Sequence, residues 1–181
     1  MDPKQIHLSH NDVHQSTLLF GVLAILLMIP LLLILEDQLI TTMQTWTMIA
    51  SALFWGTIAL IFIVGYWDLY YAFFYPRWMR WASPFLTPVL YALLAMGILQ
   101  LAGRSSGAVW LWWLLLGATE GFLEHVLGIY GLRILERVPW LDGLRSGPLL
   151  LFAFFEYLFY WTLVGWLALG LRAGANWLQS L

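Results

Sequence analysis

Long apolar runs separated by short polar breaks dominate the chain. Spans of about 20 mostly apolar residues mark transmembrane helices, and five such runs are present, near 17–35, 46–67, 84–102, 109–132 and 148–171. The second pattern can continue as far as Phe74 before Pro76 stops it. Pro84 and Pro88 suit the first turn of the third helix, where a missing N–H costs nothing. Pro30, inside the first, removes a donor and crowds the carbonyl of Leu26, which predicts a kink. Every connection is short, so consecutive helices are expected to be antiparallel neighbours in one bundle. The expected fold is an all-α polytopic membrane bundle, a single integral membrane domain over residues 1–181.

Composition supports that class. Hydrophobic residues make up 62% and charged residues only 10%, against about 25% charged in an ordinary soluble domain. The mean hydropathy is +0.81. Such a chain cannot clothe a water-facing surface, so lipid must be its main solvent. The first run is longer than the roughly 7–15 residues of a signal-peptide core, and it reads as a retained helix. The net charge of −2 supplies no basic field, so no nucleic-acid partner is expected. With no cysteine, thiolate nucleophiles, disulfides and Cys-bound metal centres are excluded.

Lysine and arginine fix the expected orientation. Lys4, Arg77, Arg80, Arg133, Arg137 and Arg145 fall on one side of the bundle, Arg104 and Arg172 on the other. Six against two places the N-terminus inside and the C-terminus outside, in the cytoplasmic membrane of a prokaryote. The segment Phe73–Trp81 and the connector Arg133–Arg145 read as interfacial anchors, and most of the twelve tryptophans as belt or packing residues. Asp68 reads as an interfacial acid paired with Arg77 or Arg80.

Ionisable residues inside spans are expensive and mark functional sites by default. Glu120, Glu124 and His125 lie in the fourth run and Glu156 in the fifth. At 100° per residue Glu120, Glu124 and His125 share one face with Gly117, Gly121, Gly128 and Gly131. Phe122, Leu123, Val126, Ile129 and Tyr130 fill the rest. Antiparallel packing would bring Glu156 level with Glu120 and Glu124 and within direct or one-water reach of one of them. Phe152, Phe155, Phe159, Tyr160 and Trp161 would then wall the site. The glycines also have a plainer explanation, as room for close helix packing.

Three functional classes fit. The first is a membrane-embedded enzyme, with Glu120, Glu124, His125 and Glu156 doing acid–base chemistry on a lipophilic substrate or holding a divalent metal ion. The second is a subunit of a larger complex, in which Gly121 and Gly128 leave room for haem or another tetrapyrrole on His125. The third is a proton- or cation-coupled carrier, against which stands the absence of a detectable repeat. The first is the leading expectation. Lipids, a lipophilic small molecule, and either further copies of the chain or partner membrane subunits are the expected partners. His7, His10 and His14 would share one side of an N-terminal helix, as a metal site or simply a solvated lead-in.

Overall fold

The computed structural model describes residues 10–65, 77–105, 107–127 and 147–181. Among these every regular element is helical. The helices are α1 (His10–Leu35), α2 (Ile40–Ile58, continuing as a π-helical stretch Ala59–Gly65), α3 (Arg77–Ala102), α4 (Val109–Val126) and α5 (Gly147–Gln179). Four segments are long and apolar enough to cross a membrane: His14–Leu35, Ile40–Gly65, Trp78–Ala102 and Leu150–Gln179. The 18 described residues of α4 fall short of that standard, because they include Glu120, Glu124 and His125. Gly107, with φ 109°, turns the chain between α3 and α4 in a conformation that glycine adopts without strain.

Contacts between numbered positions give the order of the helices. Ser51 Oγ donates to the Tyr91 carbonyl at 2.9 Å, and Arg80 Nη2 donates to the Val64 carbonyl at 2.8 Å. Positions rising in α2 thus meet positions falling in α3, so the two are antiparallel. The pairs Gly117–Trp161 and Gly121–Tyr157 say the same of α4 with α5, and Tyr91 joins α3 to Glu124 of α4. Helices α2 to α5 close a ring in this sequence, with α2 also packed on α5.

Helix α1 departs from the expected arrangement. It packs against α5, not against its chain neighbour α2. Gly21 meets Phe155, Leu31 meets Gly165, and Gln38 just beyond α1 meets Arg172. Both numbers rise together, so α1 and α5 are parallel. Trp166 Nε1 donates to the Leu27 carbonyl at 3.0 Å. That acceptor lies one residue past the carbonyl that Pro30 deprives of its intrahelical donor. A polar handle on a large apolar ring suits such a junction, and α5 supplies it.

Helix boundaries also differ from the sequence reading. Helix α2 begins at Ile40, and α3 at Arg77, which puts Pro84 and Pro88 in its interior. Bundle packing accommodates Pro88 directly: its ring sits over Gly56, where an added Cβ would lie 2.9 Å from Pro88 Cγ. Helix α5 runs on to Gln179, carrying Arg172 within it.

Side chains sort by solvent. Trp113, Trp161, Leu31, Leu99 and Leu114 are fully buried, whereas Leu26, Leu33, Phe85 and Leu90 are each more than 60% exposed. An outer face of this kind is stable in lipid and would be an aggregation hazard in water. Between helices, close packing and internal hydrogen bonds must hold the bundle, since lipid tails are as apolar as leucine.

Candidate functional site

Three helices converge on Glu124. Its Oε2 accepts a hydrogen bond from Tyr91 Oη of α3 at 2.7 Å and another from Tyr157 Oη of α5 at 2.8 Å. One carboxylate oxygen has two lone pairs, and both are used. Trp55 of α2 stacks on Tyr91 with centroids 4.1 Å apart and an interplanar angle of 21°, and stands 5.2 Å from Tyr157. Although the tyrosines are buried, Glu124 itself remains exposed. The carboxylate is gripped through one oxygen, and its other oxygen has no hydrogen-bond partner among the described residues.

Glycine makes that grip possible. A Cβ on Gly121 would lie 1.9 Å from Tyr157 Cγ, and one on Gly117 would lie 2.6 Å from Trp161. The two rings rest directly on the backbone of α4. The small-residue face predicted from the sequence is real, but aromatic side chains of α5 fill it. The room expected above Gly121 for a tetrapyrrole is occupied by Tyr157, and that group does not fit the residues present. Gly128 lies outside the described residues.

One turn from Glu124, the other acid is less well served. Glu120 Oε2 is buried without a hydrogen-bond partner among the described residues, as are the indole N–H groups of Trp55, Trp113 and Trp161. Trp161 approaches Glu120 without closing hydrogen-bond geometry. Each unpaired buried polar atom costs about 1–3 kcal/mol, so four in one region make it a costly part of the core. Trp113 meets Trp161 edge to face at 5.3 Å, which packs the rings but satisfies no N–H.

Glu156 does not join the other acids. Its Oε1 accepts from Tyr160 Oη at 2.7 Å, and neither Glu120 nor Glu124 is among its described hydrogen-bond partners. The pairing of Gly117 with Trp161 and of Gly121 with Tyr157 sets Glu156 level with the stretch between Glu120 and Glu124 along the two helices. Tyr157, next in sequence and turned by about 100°, is the residue that α5 presents to Glu124. Across the helix interface His125 stands within electrostatic range of Glu156. His125 Nδ1 lies 2.9 Å from the Gly121 carbonyl, an acceptor, so Nδ1 carries the proton and Nε2 is the available nitrogen. Its ring meets Tyr157 edge-on at 5.6 Å.

Several expected walls face elsewhere. Phe152, Phe159 and Tyr160 pack on Phe20 of α1, and Phe155 on Gly21. Of the five, Trp161 borders Glu120 and Tyr160 touches Glu156. The sequence reading missed Tyr91, Tyr157 and Trp55, although a phenol at helical depth needs a partner as much as a carboxylate does.

No group of three or more His, Asp and Glu among the described residues is arranged to hold a metal ion. Glu124, Glu156 and His125 are each engaged separately, by tyrosines or by backbone. His10 and His14 lie in the first turns of α1, while His7 and Asp68 fall outside the described residues. Arg80, one expected partner of Asp68, caps the π-helical end of α2 through Val64. Comparison with protein-family models, curated proteins and solved structures finds no match for this chain.

Proposed function

We propose that the chain is a five-span protein of the cytoplasmic membrane, N-terminus inside and C-terminus outside, in which α4 supplies the fourth span. On this reading it is a small membrane-embedded enzyme that moves a proton to and from carbon in a lipophilic substrate. The observation that carries it is the state of Glu124: two tyrosines from different helices fix one oxygen, and the residue stays exposed. The second oxygen is left to meet a substrate, since both phenols spend their hydrogen bonds on the first. Oriented by Tyr91 and Tyr157, that oxygen is a base that can take a proton from a bound substrate and return it. His125, with Nδ1 committed to Gly121, offers Nε2 as the second proton-carrying group.

Deuterium exchange tests this without knowledge of the substrate. The purified protein, in lipid nanodiscs, is incubated in D2O with a lipid extract of its source membrane, and the extract is analysed by mass spectrometry. Proton transfer to carbon labels at least one lipophilic compound with deuterium in a protein-dependent way. Glu124→Gln keeps an oxygen acceptor for both tyrosines but cannot take up a proton, so it should abolish labelling while leaving the fold intact. Equal labelling by the two proteins would make Glu124 a helix tie and move the base elsewhere, and none by either would favour the structural-subunit reading.

A further inference from the structure

A cavity of about 770 Å³ lies at the end of the bundle remote from Glu124. It opens where the α1–α2 connection meets the start of α4. Leu32, Leu33, Ile40 and Val109 give it an aliphatic side, and Glu36 and Gln38 give it a polar one. Trp110, which also lines it, precedes Glu124 by about 21 Å of helix at 1.5 Å per residue. The cavity is therefore distinct from the carboxylate site, and its volume falls within the roughly 300–1,000 Å³ of small-molecule sites.

Charge at its rim distinguishes one occupant. Glu36 is exposed, and its carboxylate has no hydrogen-bond or ion-pair partner among the described residues. Gln38, which also lines the cavity, is bound by a cation. Arg172 of α5 donates to Gln38 Oε1 and lies half-buried against Met43. A carboxylate thus lines an aliphatic cavity, and a cation is tied to that lining through Gln38.

We propose that this cavity binds a phospholipid with an ethanolamine headgroup. One acyl chain would lie along Leu32, Leu33, Ile40 and Val109, the ammonium on Glu36 and the phosphate toward Arg172. A primary ammonium brings three N–H donors to the carboxylate. A trimethylated choline brings none, and a glycerol headgroup brings no cation. Charge-assisted hydrogen bonds therefore select ethanolamine over both.

Native mass spectrometry provides the test. Protein from nanodiscs made of equal parts ethanolamine, choline and glycerol phospholipid is released in mild detergent, and the retained lipid is counted by class. The wild type should keep the ethanolamine lipid about five- to tenfold over the others, the discrimination that follows from losing one charge-assisted bond at a partly exposed site. Glu36→Gln should level the three classes, and Glu36→Lys should turn the preference to the anionic glycerol lipid. Glu36 is exposed, so neither change threatens folding. Class proportions that stay the same in both variants overturn the proposal, as does a wild type that retains all three equally.

Discussion

Replacing Gly121 with alanine tests how tightly the acid site is built into helix packing. The added Cβ would stand 1.9, 2.0 and 2.5 Å from Cγ, Cδ1 and Cδ2 of Tyr157. Carbon atoms are in ordinary contact at about 3.5–4.0 Å, so the ring or the helix must retreat by roughly 1.5–2 Å. A retreat of that size stretches the 2.8 Å bond from Tyr157 to Glu124 beyond hydrogen-bond range. Overpacking costs about 1–3 kcal/mol, and the lost bond adds about 0.5–1.5 kcal/mol. The expected destabilisation is about 2–4 kcal/mol. Gly97→Ala is the internal control, because nothing lies within 4 Å of a Cβ there. Reversible unfolding in mixed micelles, followed by circular dichroism, measures both. Tyr157→Ala removes the obstacle, so in that background Gly121→Ala should cost far less. Equal effects of Gly121→Ala and Gly97→Ala, or strict additivity with Tyr157→Ala, would refute the packing argument.

Two further outcomes follow from the geometry and the charge pattern. Tyr91→Phe and Tyr157→Phe should each cost about 0.5–1.5 kcal/mol in the same unfolding assay, and little once Glu124 is alanine; full-size effects in that background would place the loss outside the carboxylate. A reporter fused after Leu181 should be active only on the exterior side, and cytoplasmic activity would mean that the span count or the orientation is wrong.

What could be read from the chain follows the physics of each feature. Lipid as solvent demands uninterrupted apolar runs, so the four spanning helices and the histidine within the apolar run of α4 stand out in one dimension. Helix ends were harder, because in water Pro84 and Pro88 would start a helix, whereas here Gly56 makes room for Pro88 inside one. The polar face of α4 was legible from periodicity, and so was the smallness of Gly117 and Gly121. What fills their concave side was not, since that depends on the rotation of α5 about its own axis. An error of one residue there, about 100°, exchanges Glu156 for Tyr157 and converts an expected cluster of acids into a carboxylate held by phenols. Neighbour order was likewise hidden, because short connections fix direction but not which helices touch.

The parallel docking of α1 on α5 has a consequence for how the molecule is made. Helix α1 finds its resting place on a helix that leaves the ribosome some 140 residues later. At about 5–20 residues per second of synthesis, that separation lasts on the order of 10–30 s. Throughout that interval Gly21, Leu31 and the Leu27 carbonyl have none of the α5 partners described for them. Docking of α1 thus waits for α5, and a chain that stops before Gly147 leaves α1 without that dock, in a state that a protease or insertase can distinguish from the assembled bundle.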